Sequence, residues 1–453
     1  MRFHLPHPFV LLLGAVGLAA ALTWLIPAGE YQRRDDPATG RTVVIAGTYA
    51  PVPATPVGPL AALLAVPRGI IAGADVIVTI LFVGGAFALL DATGALARLV
   101  GLLIGVTRRP RTIVIAVSIA FATLGALENM QEEIVALVPV MMLLSRGVGF
   151  GNVTALAMSI GAAAVGAAFG PTNPFQTGIA LRFAELPPLT IPAVRFSLLV
   201  AAVATWIAWT LAMTASDDVR QAGVDGDTPG TSGGNAGLPG GHGLATRRDG
   251  LLLALVLLPF IPYVYGVLQL DWGFNELTAL FLLAGFAVGF VSGRDLTATA
   301  TGFLKGMETM LAAALFVGVA RAISLVLTDG RIIDTIVYSL AVPLAGLPGT
   351  LAALMMVPMH ALLHVPVPSV SGQAVLTMPI MAPLSDLLGV SRDAAVLAYQ
   401  TGAGLADLVV PTNGALLAML LGAGVPYGRW LRFAVPGALL VAIIGAIGVV
   451  LAA

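Results

Sequence analysis

Pro171-Thr172-Asn173 and Pro411-Thr412-Asn413 stand 240 residues apart (171 to 411), each set inside a long apolar run. The same gapless frame carries Pro139 onto Pro379, Leu144 onto Leu384, Ser145 onto Ser385 and Ala155 onto Ala395. A proline followed by a hydroxyl and an amide interrupts a helix, because the ring removes an N–H and crowds the preceding turn while the Asn side chain competes for backbone bonds. Two interruptions in one register predict two copies of one unit, each built around a broken helix.

Where such a unit lives follows from composition. The chain is 58% hydrophobic and 10% charged, more apolar surface than a soluble domain of 453 residues can bury. It reads as an all-α polytopic membrane protein, with the lipid bilayer as its first partner. Thirty prolines and 53 glycines suit helices whose freed backbone groups find partners on neighbouring helices. With no cysteine, disulfides, Cys-ligated zinc, iron–sulfur clusters and thiol catalysis are excluded. A net charge of −1 argues against a nucleic-acid partner.

Along the chain, Phe9 to Pro27 reads as a retained first span rather than a cleaved leader. A polar, proline-rich loop to Pro59 is expected outside, and Gly69 to Asp91 as the second span. An amphipathic segment from Gly94 to Val106 leads to Arg108, Arg109 and Arg111, a basic cluster expected inside. A re-entrant hairpin is expected over about 112–146 and a broken helix over about 152–186, followed by a span from Ile191 to Met213. This first repeat covers 1–213. Residues 214–249, rich in Gly, Ser and Asp, read as a flexible cytoplasmic linker. The second repeat, 250–453, holds spans at about Leu251–Leu270, Leu277–Val291 and Phe303–Leu327 and a short amphipathic piece from Arg331 to Pro343. A second hairpin at about 351–388, a broken helix at about 393–424 and a last span from Trp430 complete it. Counting crossings puts the N-terminus inside, the C-terminus outside and the two repeats in opposite orientation, as in secondary transporters.

A hairpin tip that stops inside the bilayer leaves backbone groups that only protein, water or a ligand can satisfy. In the 240-residue frame Asn129, Gln131 and Glu133 fall on Ser369, Ser371 and Gln373, so both tips place polar side chains in equivalent positions. Two tips and two breaks are expected to converge on one site. The first tip carries Glu128, Glu132 and Glu133; the second, Ser369-Val370-Ser371-Gly372-Gln373, carries no charge. Intramembrane carboxylates persist where they bind a cation, pair or protonate, so Glu132 and Glu133 are candidates for a substrate amino group, a coupling ion or a proton. The structural alternative is a salt bridge or a wetter depth. Asp407 lies outside the symmetric frame, its counterpart being Ala167, and is divided evenly between site and structural hydrogen bond.

His360 and His364, at i and i+4, share a helix face, yet no further ligand completes a metal site; packing with polar tips is the expectation, and a pH-sensing role stays open. Gly161, Gly166, Gly170, Gly402 and Gly404 read as close-packing positions. Pro171, Thr172, Asn173, Pro411, Thr412 and Asn413 are candidates for site or ion contact. Oxygens near Thr172, Asn173, Thr412 and Asn413 would be the place for a coupling sodium ion, a proton being the other coupling candidate; no resident cofactor or other metal is expected.

GALENMQEEIVALVPV resembles the Gly-Met-x-Glu-Glu tip of a known carrier family, NPFQTGIA its Asn-Pro-Phe-x-x-Gly-Ile-Ala element, and VPSVSGQAVLTMPIMAPLSDLLGVSRDAAVLAYQTGAGLADLVVPTNG its long C-terminal signature. IPAGEYQR after the first span fits as well. The family is the YfcC-like branch of the four-carbon dicarboxylate anaerobic carriers, which includes arginine–ornithine antiporters, within the ion transporter superfamily. The resemblance implies a bacterial-type inner-membrane secondary carrier, a homodimer with a scaffold domain and a transport domain moving in an elevator-like way. It marks Glu132, Glu133, Asn173, Pro174, Ser369, Ser371, Gly372, Gln373, Pro411 and Thr412. Three positions depart from the pattern: Asn129 and Val370 stand where Gly is usual, and Ala403 where an Asp is common, which leaves cation stoichiometry open.

Residues and resemblance together point to secondary active transport, or exchange, of a small organic solute, an amino acid or a carboxylate. Glu132 and Glu133 favour a substrate bearing an amino group over a four-carbon dicarboxylate. From other classes, a channel or a non-transporting scaffold is the alternative. An enzyme is not expected, since no nucleophile–base pair or metal-ligand set stands out.

Overall fold

The computed structural model describes residues 8–36, 41–96, 98, 102, 109–187, 189–224, 246–270 and 272–453. Among them, seven helical elements are long and apolar enough to cross a membrane: Ala74–Asp91, Pro110–Glu128, Asn152–Phe183, Pro192–Thr214, Phe274–Val291, Leu296–Asp329 and Tyr427–Ala452. The protein is a mostly helical, multi-pass membrane protein.

Helix α1 (Pro8–Leu25) leads to two short antiparallel strand pairs, β1 (Gly29–Glu30) with β4 (Ala50–Pro51) and β2 (Arg33–Asp36) with β3 (Arg41–Val44). The segment expected as a plain loop therefore carries strand structure. The β-branched run Thr-Val-Val supports it, and Asp334 fastens it by accepting from the Tyr31 N–H at 2.9 Å and from Arg33 Nη2 at 2.9 Å. The chain then has two helices where one span was expected at 69–91. Helix α2 (Pro59–Ala72) starts with proline in its first turn and meets α3 (Ala74–Asp91) at Gly73. Most of the amphipathic segment expected at 94–106, and Arg108, lie outside the described residues.

Helix α4 (Pro110–Glu128) begins at a proline and ends on Asn129, whose left-handed φ of 56° lets its N–H close on the Gly125 carbonyl. A 3₁₀ turn (Glu132–Leu137) reverses the chain into α5 (Val138–Gly147). Helix α6 (Asn152–Leu156) passes through a π turn (Ala157–Gly161) into α7 (Ala162–Phe169) and stops at Gly170. A second π turn (Pro174–Gly178) and α8 (Ile179–Phe183) resume the element beyond Asn173.

Helix α9 (Pro192–Val224) continues into the segment expected as linker, whose first residues hold few glycines and suit a helix. At the other end of that segment Thr246 and Asp249 form a capping box that starts α10 (Arg247–Leu257). Residues 225–245 lie outside the described residues.

The expected span 251–270 is divided by Leu258 and Pro259 into α10 and α11 (Phe260–Gln269), and α12 (Phe274–Val291) follows. Helix α13 (Leu296–Asp329), capped by Asp295, has 34 residues and runs past the expected 303–327 at both ends. At 1.5 Å per residue it is about 51 Å long, well over the ~30 Å hydrocarbon thickness. After α14 (Ile333–Ala341) come α15 (Gly349–Leu363) and α16 (Val370–Leu387), joined by the short 364–369 turn. Helix α17 (Arg392–Ala406) stops before Pro411, α18 (Gly414–Gly422) resumes, and α19 (Tyr427–Ala452) ends the chain.

The helices sort into two packing groups. In one, α13 lies along α2 and α3, with α1 and α12 against them, and glycines set the spacing: a Cβ on Gly69 would sit 2.4 Å from the Gly318 carbonyl oxygen. In the other, α7 packs on α4 and α17 on α15, with α9 and α19 outside them. A Cβ on Gly166 would lie 2.0 Å from the Ala122 oxygen, and one on Gly402 2.2 Å from the Val357 oxygen, so each broken element rests on the arm that enters its own hairpin. The groups meet where α18 crosses α13 and the first tip touches α3.

Candidate functional site

At the first break the carbonyls freed by the end of α7 are taken by side chains. Asn173 Nδ2 donates to the Ala167 oxygen at 3.4 Å, Gln400 Nε2 to the Ala168 oxygen at 3.3 Å, and Thr177 Oγ1 to the Gly170 oxygen at 2.5 Å. The second break follows the same logic with different donors. Asn413 Nδ2 reaches the Asp407 oxygen at 3.1 Å, Trp430 Nε1 the Leu408 oxygen at 2.7 Å, and the Tyr427 hydroxyl the Val409 oxygen. Residues 153–171 leading into the first break are buried inside protein, as is Asn173, while Thr172 between them is exposed.

Each Asn of the two triplets starts the helix that follows. Asn173 Oδ1 accepts from the N–H groups of Phe175 (2.9 Å) and Gln176 (3.0 Å), and Asn413 Oδ1 from that of Leu416 (3.0 Å). Asn173 Nδ2 also donates to the Gly125 oxygen (3.2 Å) and to Asn129 Oδ1 (3.4 Å), so the first break is tied to the first tip. Pro171 is buried, Pro174 and Pro411 half-buried, and Thr172 exposed. Thr412 is buried, and its hydroxyl has no partner among the described residues.

Asp407 is the meeting point of both halves. Its Oδ2 accepts from Gln131 Nε2 of the first tip at 3.0 Å. Its Oδ1 faces Asn413 Nδ2 at 3.0 Å and His364 Nε2 at 2.7 Å. His364 Nδ1 in turn lies 2.8 Å from Gln373 Oε1, while Gln373 Nε2 donates to the His360 carbonyl at 2.9 Å and lies 3.2 Å from His360 Nδ1. His360 stacks edge-on against Tyr399, whose hydroxyl holds the Val370 carbonyl at 2.6 Å. Asp407 is thus hydrogen-bonded at once to the first tip, the turn after α15 and the second triplet. The i, i+4 spacing of the histidines had placed both on one face without showing what they meet.

The first tip is rich in carboxylate. Glu128 and Glu133 are buried and Glu132 is half-buried at the start of the 3₁₀ turn, where its N–H groups favour negative charge. Glu128 Oε1 and Glu133 Oε2 lack hydrogen-bond partners, and none of the three is in an ion pair among the described residues. At the second tip, Ser369 caps α16 by accepting from the Gly372 N–H at 3.2 Å, and Ser369 and Gly372 line a cavity of about 460 Å³. Glu30, Arg33, Arg331 and Asp334 line its other side, with Arg33 paired to Asp334 and Arg331 to Glu30 at 3.5 Å. Burial raises the Asp334 carboxyl above its ordinary value against the pull of the Tyr31 N–H and Arg33. Ser371 is half-buried and Gln373 fully buried.

The structure thus joins Gln131, His364, Gln373, Asp407 and Asn413 in one network and Asn129 with Asn173 in another. Ser369 and Gly372 face the cavity instead. A third cluster, unanticipated from sequence, ties α9 to the second broken element: buried Arg195 donates to Gln400 Oε1 at 2.7 Å and to Asp393 at 3.0 Å, and Gln400 Nε2 reaches on to Thr177 of the first broken element at 2.5 Å. Its signal was a lone arginine inside the apolar run IPAVRFSLL. Among the described residues no group of three His, Cys, Asp or Glu is placed to hold a metal ion.

Against known proteins, residues 5–453 match the C4-dicarboxylate anaerobic carrier family. An uncharacterized protein of Haemophilus influenzae is 28% identical over 96% of this chain and 94% of its own length. The "Putative basic amino acid antiporter YfcC" of Escherichia coli is 30% identical over 79% of this chain and 73% of its own. Among solved structures, the Alcanivorax borkumensis YdaH transporter covers 98% of both chains with 16% identity and a TM-score of 0.46, below the level at which a shared fold follows.

Proposed function

Because the chain belongs to the C4-dicarboxylate anaerobic carrier family and is a membrane transporter, we propose that it is a secondary active transporter of an amino acid, a basic amino acid first among them, working by exchange or by coupling to an ion gradient. The observation that carries this reading is the set of three carboxylates at the first tip, Glu128, Glu132 and Glu133, none of them in an ion pair among the described residues, while the second tip carries no charge. A buried anion cluster is costly until a cation occupies it, and a substrate ammonium or guanidinium is such a cation. The name of the Escherichia coli relative points the same way.

A four-carbon dicarboxylate is the second reading; the cavity beside Ser369 offers it Arg33 and Arg331, each of which would exchange its present carboxylate partner, Asp334 or Glu30, for the substrate. The inverted-repeat arrangement is supported by the matched order of arm, tip, arm and broken helix in each half. The two packing groups meeting at α18 and α13 support an elevator-like movement of one against the other, in an inner-membrane homodimer.

Counterflow in proteoliposomes tests the substrate reading: labelled L-arginine should accumulate against trans unlabelled L-arginine and not against succinate. A pore would show no counterflow, and succinate-only counterflow would establish the second reading. Glu133→Gln or Glu132→Gln should weaken L-arginine about 30-fold or more, the low end of losing one member of a buried charge pair at ~2 kcal/mol. Wild-type affinity in both variants would remove these carboxylates from the site.

A further inference from the structure

We propose that His364 and Asp407 form the proton-binding site of this transporter, a site that carries one exchangeable proton and uses it to hold the second hairpin closed. The inference rests on the transporter reading above and names its coupling ion.

Donor and acceptor counting leads there. The His360 carbonyl can only accept, so the Gln373 atom 2.9 Å from it is the amide nitrogen, and Gln373 Oε1 must face His364 Nδ1. Oε1 can only accept, so Nδ1 carries a hydrogen. On the other side of the ring, His364 Nε2 lies 2.7 Å from Asp407 Oδ1, a contact that also needs a hydrogen between its two atoms. With Nδ1 already protonated, that second hydrogen is either the second proton of an imidazolium facing a carboxylate or the acid proton of Asp407 facing a neutral ring. Both descriptions hold the same single extra proton, and in both the pair is neutral overall.

Removing that proton leaves a network that cannot be completed. If Nδ1 keeps its hydrogen, the lone pair of Nε2 faces a carboxylate oxygen. If the hydrogen moves to Nε2, Nδ1 faces Gln373 Oε1, and turning the amide to relieve this forfeits its bond to the His360 carbonyl. His360 stands on α15, His364 in the turn that follows it and Gln373 on α16, so the second failure loosens the joint between the two arms of the hairpin and the first frees the turn of the hairpin from Asp407. Gln131 and Asn413 donate to Asp407 in either state and stabilise its negative charge once the proton has gone. Among the described residues, the titratable groups facing the pair from the surrounding elements are His360 on α15, Tyr399 on α17 and Glu132 on the first tip. His360 takes a hydrogen bond through Nδ1 and remains neutral, leaving Nε2 buried and without a partner among the described residues. Loading is therefore a plain proton transfer from water to the pair, with no other bond made or broken.

The test is hydrogen–deuterium exchange of residues 349–388 in the full-length protein in lipid nanodiscs, across pH and corrected for chemical exchange. Wild type should show one transition in which opening of the hairpin rises about tenfold or more with pH, the scale of one lost buried hydrogen bond. Asp407→Asn keeps a donor toward His364 at every pH and should show no transition, and His364→Gln should also be flat. A flat wild-type profile, or a wild-type-like transition in Asp407→Asn, would overturn the proposal. In proteoliposomes with L-arginine as probe, wild type should move protons with the solute and His364→Gln should not; unchanged proton movement in His364→Gln would equally overturn it. Failure of L-arginine counterflow in wild type would strike the substrate reading alone, since the exchange experiment contains no solute.

Discussion

Asn173 looks like an ordinary helix cap, and a substitution pair can tell whether it is only that. As caps, Asp and Asn are interchangeable, and Ala costs about 0.5–2 kcal/mol. Asn173 is fully buried, and its amide nitrogen faces three oxygens, those of Gly125 (3.2 Å), Asn129 (3.4 Å) and Ala167 (3.4 Å). Asn173→Ala loses the cap and this donor set, and because Gly125 and Ala167 keep a backbone partner each, the total is about 1–3 kcal/mol. Asn173→Asp keeps the cap but turns a carboxylate oxygen toward those three oxygens, none of which belongs to a cationic group, so the cost is several kcal/mol, as for an uncompensated buried charge. The expected order of apparent melting temperature, followed by loss of the monodisperse peak of full-length protein after heating, is wild type, then Ala, then Asp. An Asp variant as stable as wild type would show that only the capping bonds matter and that the tie to the first tip is incidental.

Gly166→Val should lose most monodisperse protein on purification, because its Cβ would sit 2.0 Å from the Ala122 carbonyl oxygen and overpacking against backbone costs about 1–3 kcal/mol or more. Asp249 is held below the ordinary carboxylate range chiefly by its hydrogen bonds to Arg98, at 2.6 and 3.1 Å. Its contribution is therefore present above the unfolded carboxylate pKa and fades as pH falls through the lower folded value. Asp249→Asn should melt below wild type at pH 7, by about 1.5–3 kcal/mol, with the gap closing below about pH 4; a gap independent of pH would refute the pairing. Replacing residues 225–245 with a generic Gly/Ser linker should leave L-arginine counterflow within about twofold, as the Gly-, Ser- and Asp-rich composition of that segment implies; loss of counterflow from a folded variant would refute it.

How much of this was legible in the sequence depended on whether a signal was local. The two Pro-Thr-Asn triplets marked both helix stops, since a missing N–H acts where it stands. Membrane class followed from apolarity alone. Span edges were less readable: proline at 59 and at 259 marks a start in one place and a division in the other, and neighbours decide which. The carboxylates of the first tip announced themselves by charge, whereas Gln131, His364 and Gln400 did not. Neutral polar side chains owe their role to partners far along the chain, 276 residues away for Gln131 and Asp407. The hub at Asp407 was undecided in the sequence for that reason, being without a counterpart in the repeat.

Trp206 donates to the Ala157 carbonyl in the first broken element, and Trp430 to the Leu408 carbonyl beside the second break. Both indoles are fully buried, while Trp24 lies on the surface. Each of these backbone clamps is therefore an optical probe already in place, one at the π turn of the first broken element and the other beside the second break. With five tryptophans in the chain, single Phe replacements at 206 and 430 would separate the two signals, so that the halves can be watched independently and without a label while a solute is added.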